Sequence, residues 1–311
     1  MQERKLLIAP RNITLFESSG TQIHQESARF LKAQFRTEIE QRLKKLDKGG
    51  RFIPKLCSAL IDMHHIAGFD EKLVGIMTLN YEDLVERAGE HVIGCVNCSL
   101  DLGDDCKTKI HYKKSGLMVL KLHGSFNWKN EFPISVHDHV RKNDDVYWIP
   151  PGVEKHPDDY PFNVIWGKAR EMLDCDILRM VGCSLSRNDW HLASLLYETQ
   201  KLNKNQKNYT IEIIDYPDAG ETVQNKYPNL RPLKKINELP EIREFVYRSL
   251  YSLSVPGAIS RLSDDTICNY LAKPKNIFDI WLKAKGDQIL KSGLSIDPDK
   301  NKYFSEYIRG V

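Results

Sequence analysis

The chain has 311 residues, enough for one large or two modest domains around a sizeable core. Apolar content of 41% and charged content of 28% are those of an ordinary soluble globular protein, and a net charge of +3 gives no argument for a nucleic-acid or membrane partner. No apolar run approaches the roughly 20 residues of a membrane span. The start, Met1-Gln2-Glu3-Arg4-Lys5, lacks a secretory signal's apolar core, and seven scattered cysteines fit reduced thiols, so a cytoplasmic protein is expected.

Leu6 to Ala9 reads as a short strand ended by Pro10, and Ser18-Ser19-Gly20 as a turn. Over 23–47 the pattern turns helical, with Leu31, Phe35, Ile39 and Leu43 recurring every four residues, until Asp47-Lys48-Gly49-Gly50 stops it. A second helix is predicted over 54–67, with Pro54 in its first turn. Leu73 to Leu79 reads as a central strand, and a helix begins near Tyr81. Short strands and loops fill 91–115, Leu117 to Leu122 is the next strand, and a polar stretch with aromatic residues runs to about 160. Phe162 to Leu173 is helical, with Ile165, Trp166, Ala169 and Leu173 on one face.

Asp176 to Val181 is a strand ending at Gly182, Asp189 to Gln200 a helix, and Tyr209 to Ile214 the last clear strand. This alternation predicts an α/β fold with a mostly parallel, doubly wound sheet. Residues 217–240 are polar and proline-punctuated, like a linker or long loop, and helical patterns return at 241–254 and 276–290. The expected organisation is an α/β domain over 1–216, a linker or long loop over 217–240 and a C-terminal helical appendage over 241–311. The faces of that appendage serve either assembly or packing against the sheet.

Three motifs follow predicted strands: Thr78-Leu79-Asn80-Tyr81, Lys121-Leu122-His123-Gly124-Ser125-Phe126-Asn127-Trp128, and Gly182-Cys183-Ser184-Leu185. Ligands of open α/β sheets bind at the carboxyl ends of strands. His123 is either a core-edge histidine or a general base titrating near neutrality, and the turn Gly124-Ser125 lets a ligand approach the backbone. Asn80 is either a turn residue or an amide that holds a ribose hydroxyl and a water together. Gly182 permits close backbone approach, and Ser184 can donate to a phosphate or ribose oxygen. Asp215 is either a turn-starting residue before Tyr216-Pro217 or a ligand for an adenosine ribose.

In order and chemistry these motifs resemble the sirtuin family, in particular its bacterial branch, and the resemblance covers roughly 70–216. A Pro150-Pro151 stretch with Lys155, leading to the helix that holds Trp166, resembles a further segment of that branch. The resemblance implies a Rossmann-like fold with NAD as substrate. It sets Asn80 beside the scissile N-glycosidic bond and His123 against the nicotinamide ribose as base, with Thr78, Gly124, Ser125, Gly182, Ser184 and Asp215 around the dinucleotide. The family carries an Asp two positions after the Asn, for the nicotinamide amide. Here Glu82 stands there and Asp83 follows, so either carboxylate is a candidate.

The family's Gly-rich phosphate loop, which cradles a pyrophosphate at a helix N-terminus, has no match in 1–60. Either Ser18-Ser19-Gly20 is a degenerate substitute, or the loop is lost, or the chain begins after it. Cys95, Cys98, Cys106 and His111 are zinc ligands of acceptable type, to be weighed against reduced cysteines in a surface hairpin. No cysteine lies between His123 and Cys175, where sirtuin deacylases carry their zinc module, so no metal is expected.

The resemblance implies an NAD+ hydrolase releasing nicotinamide and ADP-ribose, of a kind that serves bacterial anti-phage defence by depleting NAD. A homo-oligomer or a defence-system partner protein is expected with it, without membrane or direct nucleic-acid binding. The rival readings are a catalytically inactive subunit that binds a nucleotide or a partner and, more remotely, a protein-lysine deacylase.

Overall fold

The computed structural model describes residues 33–39, 41, 54–94, 96–98, 116–129, 146–149, 162–183, 185–186, 189–202, 209–215, 219–230, 233–235 and 274–310. Several expectations fall outside them: the strand at Leu6, the turn at Ser18-Ser19-Gly20, the Asp47–Gly50 stop, Cys95, Cys106, His111, Pro150-Pro151, Lys155, Ser184 and the helix over 241–254. The chain divides into two compact units, Met1–Ser58 with Val74–Ala169, and Ala59–Leu73 with Arg170–Val311.

In the first unit β1 (Ile76–Thr78), β2 (Val96–Cys98) and β3 (Leu117–Lys121) form a parallel sheet in the order β1-β3-β2. The register sets Thr78 opposite Lys121 and Cys98 opposite Val119. As central strand, β3 buries Leu117, Val119, Leu120 and Lys121 on both faces, the pattern of a strand covered from both sides. The predicted strand over 73–79 is shortened to three residues.

Helix α2 (Leu84–Ile93) connects β1 to β2. It ends on Gly94, whose φ of 76° is a left-handed cap and whose amide donates to Glu90 O. A Cβ on Gly89 would lie 2.6 Å from Val96 Cγ2 and 3.1 Å from Leu117 Cδ2, so a residue without a side chain lets this helix reach the sheet. The stretch 91–115, expected to hold short strands and loops, supplies β2 in parallel pairing with β3, and the hairpin weighed against a zinc site there lies largely outside the described residues. Strands β4 (Gly124–Lys129) and β5 (Val146–Trp148) pair antiparallel within the stretch that reads as irregular. Their polar and aromatic residues mask the alternation that marks a strand.

The second unit carries β6 (Ile177–Val181), β7 (Thr210–Ile214) and β8 (Leu233–Lys235), parallel and in that order. Helices α4 (Trp190–Leu202) and α5 (Ala219–Lys226) connect them. The polar stretch 217–240 therefore holds a helix and a paired strand. Its short apolar set, with Val223 and Leu230 fully buried, is too sparse to show periodicity. Helix α6 (Pro274–Lys291) agrees with the predicted 276–290 and buries Ile277, Phe278, Ile280, Trp281 and Leu282. The Arg179 guanidinium of β6 lies 4.8 Å from the Trp281 ring centre and pairs with Glu212 at 2.7 Å and Glu71 at 2.8 Å. Lys285 of α6 also reaches Glu71.

Helix α7 (Lys302–Arg309) follows, and buried Asp62, near the end of α1 (Lys55–Met63), accepts its Phe304 amide at 3.0 Å. That carboxylate satisfies one of the orphan donors of the helix end. Helix α3 (Phe162–Met172) has the predicted bounds to within a residue and buries Phe162, Ile165 and Ala169. Among the described residues no helix is long and apolar enough to cross a membrane.

Candidate functional site

Within the first unit, the ends of β1 and β3 meet through Leu122 N, which donates to Thr78 O at 3.0 Å. The chain then leaves β1 in a turn closed by Asn80 N donating to Thr78 Oγ1 at 3.1 Å. Threonine forms such turns readily because its hydroxyl reaches an amide two residues on. Thr78, expected to contact the ligand, thus shapes the loop that presents Asn80, and Asn80 itself is exposed.

Tyr81 fastens the next step. Its hydroxyl donates to Ile149 O at 2.7 Å, and its carbonyl accepts Ser125 Oγ at 2.9 Å. Burial pushes the Tyr81 phenol well above its ordinary range, so it stays a protonated donor. Phe35 meets the Tyr81 ring edge-on, with 6.3 Å between centres. Ser125 is fully buried and donates its proton to this backbone carbonyl.

His123 follows β3 directly and is buried, 4% exposed. Its carbonyl accepts Ile149 N at 2.8 Å, while the preceding carbonyl, Leu122 O, accepts Trp166 Nε1 at 3.1 Å. Gly124 has φ 80°, a left-handed conformation that glycine takes without cost. The turn holding His123 is thereby fixed through backbone bonds on both sides.

Beneath this turn lies a charge pair. Lys121 is 0% exposed and pairs with Glu86 Oε1 of α2 at 2.8 Å; its Nζ also donates to Glu82 O. Burial drives the Glu86 carboxyl upward, and Lys121 draws it back down. Glu82 and Asp83 are partly exposed. Asp83 Oδ1 lies 3.0 Å from Arg87 Nε, so this carboxylate is engaged along the helix. The Cys57 thiol is pushed up to about 11, first by burial and then by the negative charge of Glu82, and is no nucleophile at neutral pH.

The second unit presents its own strand ends. Gly182 has φ 60°, and its amide donates to Ile214 O at 2.9 Å, which brings the ends of β6 and β7 together. Among the described residues, its chain neighbours aside, no atom lies within 4 Å of a Cβ built on Gly182. Leu185 is buried with φ 49°, a conformation a leucine adopts at a cost of roughly 1–2 kcal/mol. Asp215 follows Ile214 at the end of β7 and is 6% exposed. Among the described residues no group of His, Cys, Asp and Glu is arranged to hold a metal ion.

Of the sequence candidates, the first unit gathers Thr78, Asn80, Glu82, Asp83, His123, Gly124 and Ser125, and the second gathers Gly182 and Asp215. Sequence reasoning missed Tyr81, Glu86, the pairing of Lys121, and the strained Leu185. A lysine inside the apolar run Leu117–Leu122 was the available signal, since a buried ammonium requires a carboxylate.

No curated protein sequence matches the chain. The SIR2-like domain family does match, over residues 74–233. That range opens just before β1 and takes in all three strand-end motifs. SIR2-like domains have a Rossmann-like α/β fold and bind NAD. With more than half of its 311 residues inside the match, the chain belongs to the sirtuin-like family of SIR2-like domains.

Proposed function

We infer that the protein is an NAD+ hydrolase. It cleaves the nicotinamide N-glycosidic bond, with water as acceptor, to give nicotinamide, ADP-ribose and a proton. The observation that carries this reading is an exposed Asn80 on a loop tied to the buried His123 turn, both at the ends of adjacent parallel strands. The leaving group is a neutral nicotinamide and needs no protonation. The sugar becomes oxocarbenium-like as the bond opens, and fixed dipoles aimed at it lower that barrier. Asn80 positions the water and His123 takes its proton. Glu82 or Asp83 receives the nicotinamide amide; Gly182, Ser184 and Asp215 are proposed for phosphate and ribose groups.

A doubly wound sheet and a helical appendage over 241–311 belong to the same proposal. So do a cytoplasmic location, a homo-oligomer or defence partner, and a role in bacterial anti-phage defence. The defence role rests on the likeness of the three strand-end motifs, in order and chemistry, to the bacterial branch. One observation favours a second reading, an inactive nucleotide- or partner-binding subunit: a histidine only 4% exposed offers little of its ring to a substrate.

Nicotinamide release from NAD by the full chain, beside His123→Ala and Asn80→Ala, separates the two. Turnover lost in both variants supports the hydrolase. An unchanged rate in His123→Ala refutes the assigned base, and no release by the parent leaves the binding subunit as the reading.

A further inference from the structure

We propose that the buried Lys121–Glu86 pair is a positioning device that holds loop 79–83, and with it Asn80, against the His123 turn. The proposal rests on the hydrolase reading for its catalytic consequence and on geometry alone for the clamp. Lys121 is two residues from His123 and fully buried, and it makes two bonds of different kinds. One is to the Glu86 carboxylate in α2 at 2.8 Å, and the other is to the backbone carbonyl of Glu82, inside the loop. An ammonium has three donors, so one side chain joins strand, helix and loop.

Two further bonds hold the same loop. Ser125 Oγ holds Tyr81 O at 2.9 Å, and Tyr81 OH holds Ile149 O at 2.7 Å, while Ile149 N holds His123 O at 2.8 Å. Every one of these tethers ends on His123 or a residue within two of it, or on Ile149, which is itself bonded to His123. The pair is poorly built for stability alone. Glu86 Oε2 is buried without a hydrogen-bond partner among the described residues, and well-packed apolar residues often replace such pairs at no loss. An apolar replacement cannot supply the bond to Glu82 O. Loop placement is therefore what the charge pair adds. Lys121 and Glu86 are positioning residues, and neither is assigned contact with substrate.

The test compares the full chain with Lys121→Met/Glu86→Leu by hydrogen exchange and by NAD turnover. Exchange over 79–83 is expected to quicken about tenfold while β3 and β7 keep their protection. kcat is expected to fall about 100-fold with little change in KM, because misplacing a group by about 1 Å costs that much. Unchanged exchange over 79–83 in the folded variant overturns the clamp, whatever the turnover. Faster exchange with unchanged kcat overturns its catalytic purpose. A parent that releases no nicotinamide refutes the hydrolase reading alone, and the exchange comparison still decides the clamp. Should the double variant fail to fold, Lys121→Gln, which takes away the ammonium's bond to Glu82 O, carries the same comparison.

Discussion

Separating the two members of the buried pair is the sharpest perturbation the structure offers. At 2.8 Å, and with an effective dielectric constant near 20, the Lys121–Glu86 attraction is about 6 kcal/mol. Moving both ions out of water costs several kcal/mol for each, so the pair as a whole is near break-even. Removing one partner alone forfeits the attraction and leaves the other ion buried. Lys121→Met and Glu86→Leu should therefore each lose about 3–5 kcal/mol, while the double variant should return to within about 1 kcal/mol of the parent. Total stabilities are about 5–15 kcal/mol, so each single variant gives up a large share.

The pH dependence carries its own sign. Burial already raises the Glu86 carboxyl above its ordinary 4.5, and Lys121 opposes that rise. In Lys121→Met the opposition is gone. The cost of keeping this carboxylate charged is then present above pH 4.5 and relieved as the pH falls and the acid takes up its proton. The deficit of Lys121→Met against the parent should accordingly shrink in acid, whereas that of Glu86→Leu should not. Urea unfolding followed by circular dichroism, at neutral and acidic pH, measures all four proteins. Single variants each losing under about 1 kcal/mol would refute the reasoning, as would a double variant no better than the worse single.

Two other outcomes are expected. Tyr81→Phe removes the donor to Ile149 O at 2.7 Å and should cost about 1–2 kcal/mol in a thermal or urea melt, together with a lower NAD turnover; a variant equal to the parent in both would show that the bond neither stabilises nor positions. Glu71 is raised by burial, but Arg179 and Lys285 outweigh that and hold it below its ordinary 4.5, so its stabilisation is present above pH 4.5 and lost as the pH falls through its lowered folded value. Glu71→Gln should thus lose roughly 1–2 kcal/mol at neutral pH and progressively less in acid, and a deficit that grows on acidification would contradict the assignment.

The longer parallel strands were legible one by one as mainly apolar runs, although the sequence reading joined them in one sheet and not in two. Leu117 to Leu120 and Ile211 to Ile214 stand out against charged neighbours, and helices α3 and α6 show a buried stripe at helical spacing. What escaped was set by partners remote in sequence. Strand β8 is Leu233-Lys234-Lys235, whose composition says nothing of pairing, yet Lys235 sits opposite Ile213 of β7. Strands β4 and β5 were hidden for the same reason. The site motifs were legible as local strings, but the bonds of their members were not. Glu86 lies 35 positions before Lys121, and Ile149 lies 68 after Tyr81.

That difference bears on how the strand-end motifs are to be read. A string such as Lys121 to Ser125 invites the assignment of every polar member to the ligand. The structure divides it differently: Lys121 and Ser125 donate to backbone carbonyls of the Asn80 loop, Gly124 supplies the left-handed turn, and His123 is held by its own carbonyl. In the Thr78–Tyr81 string, likewise, Thr78 and Tyr81 brace the loop while Asn80 is left exposed at its tip. Bracing of this density opposes the entropy of a surface loop, about 1–2 kcal/mol for each residue held, and has a purpose where a group must stay within a fraction of an ångström of its reacting partner. The prominence of the motifs is thus largely the signature of that bracing. On the hydrolase reading proposed above, chemistry falls to Asn80 and His123, the two residues whose backbone this bracing confines.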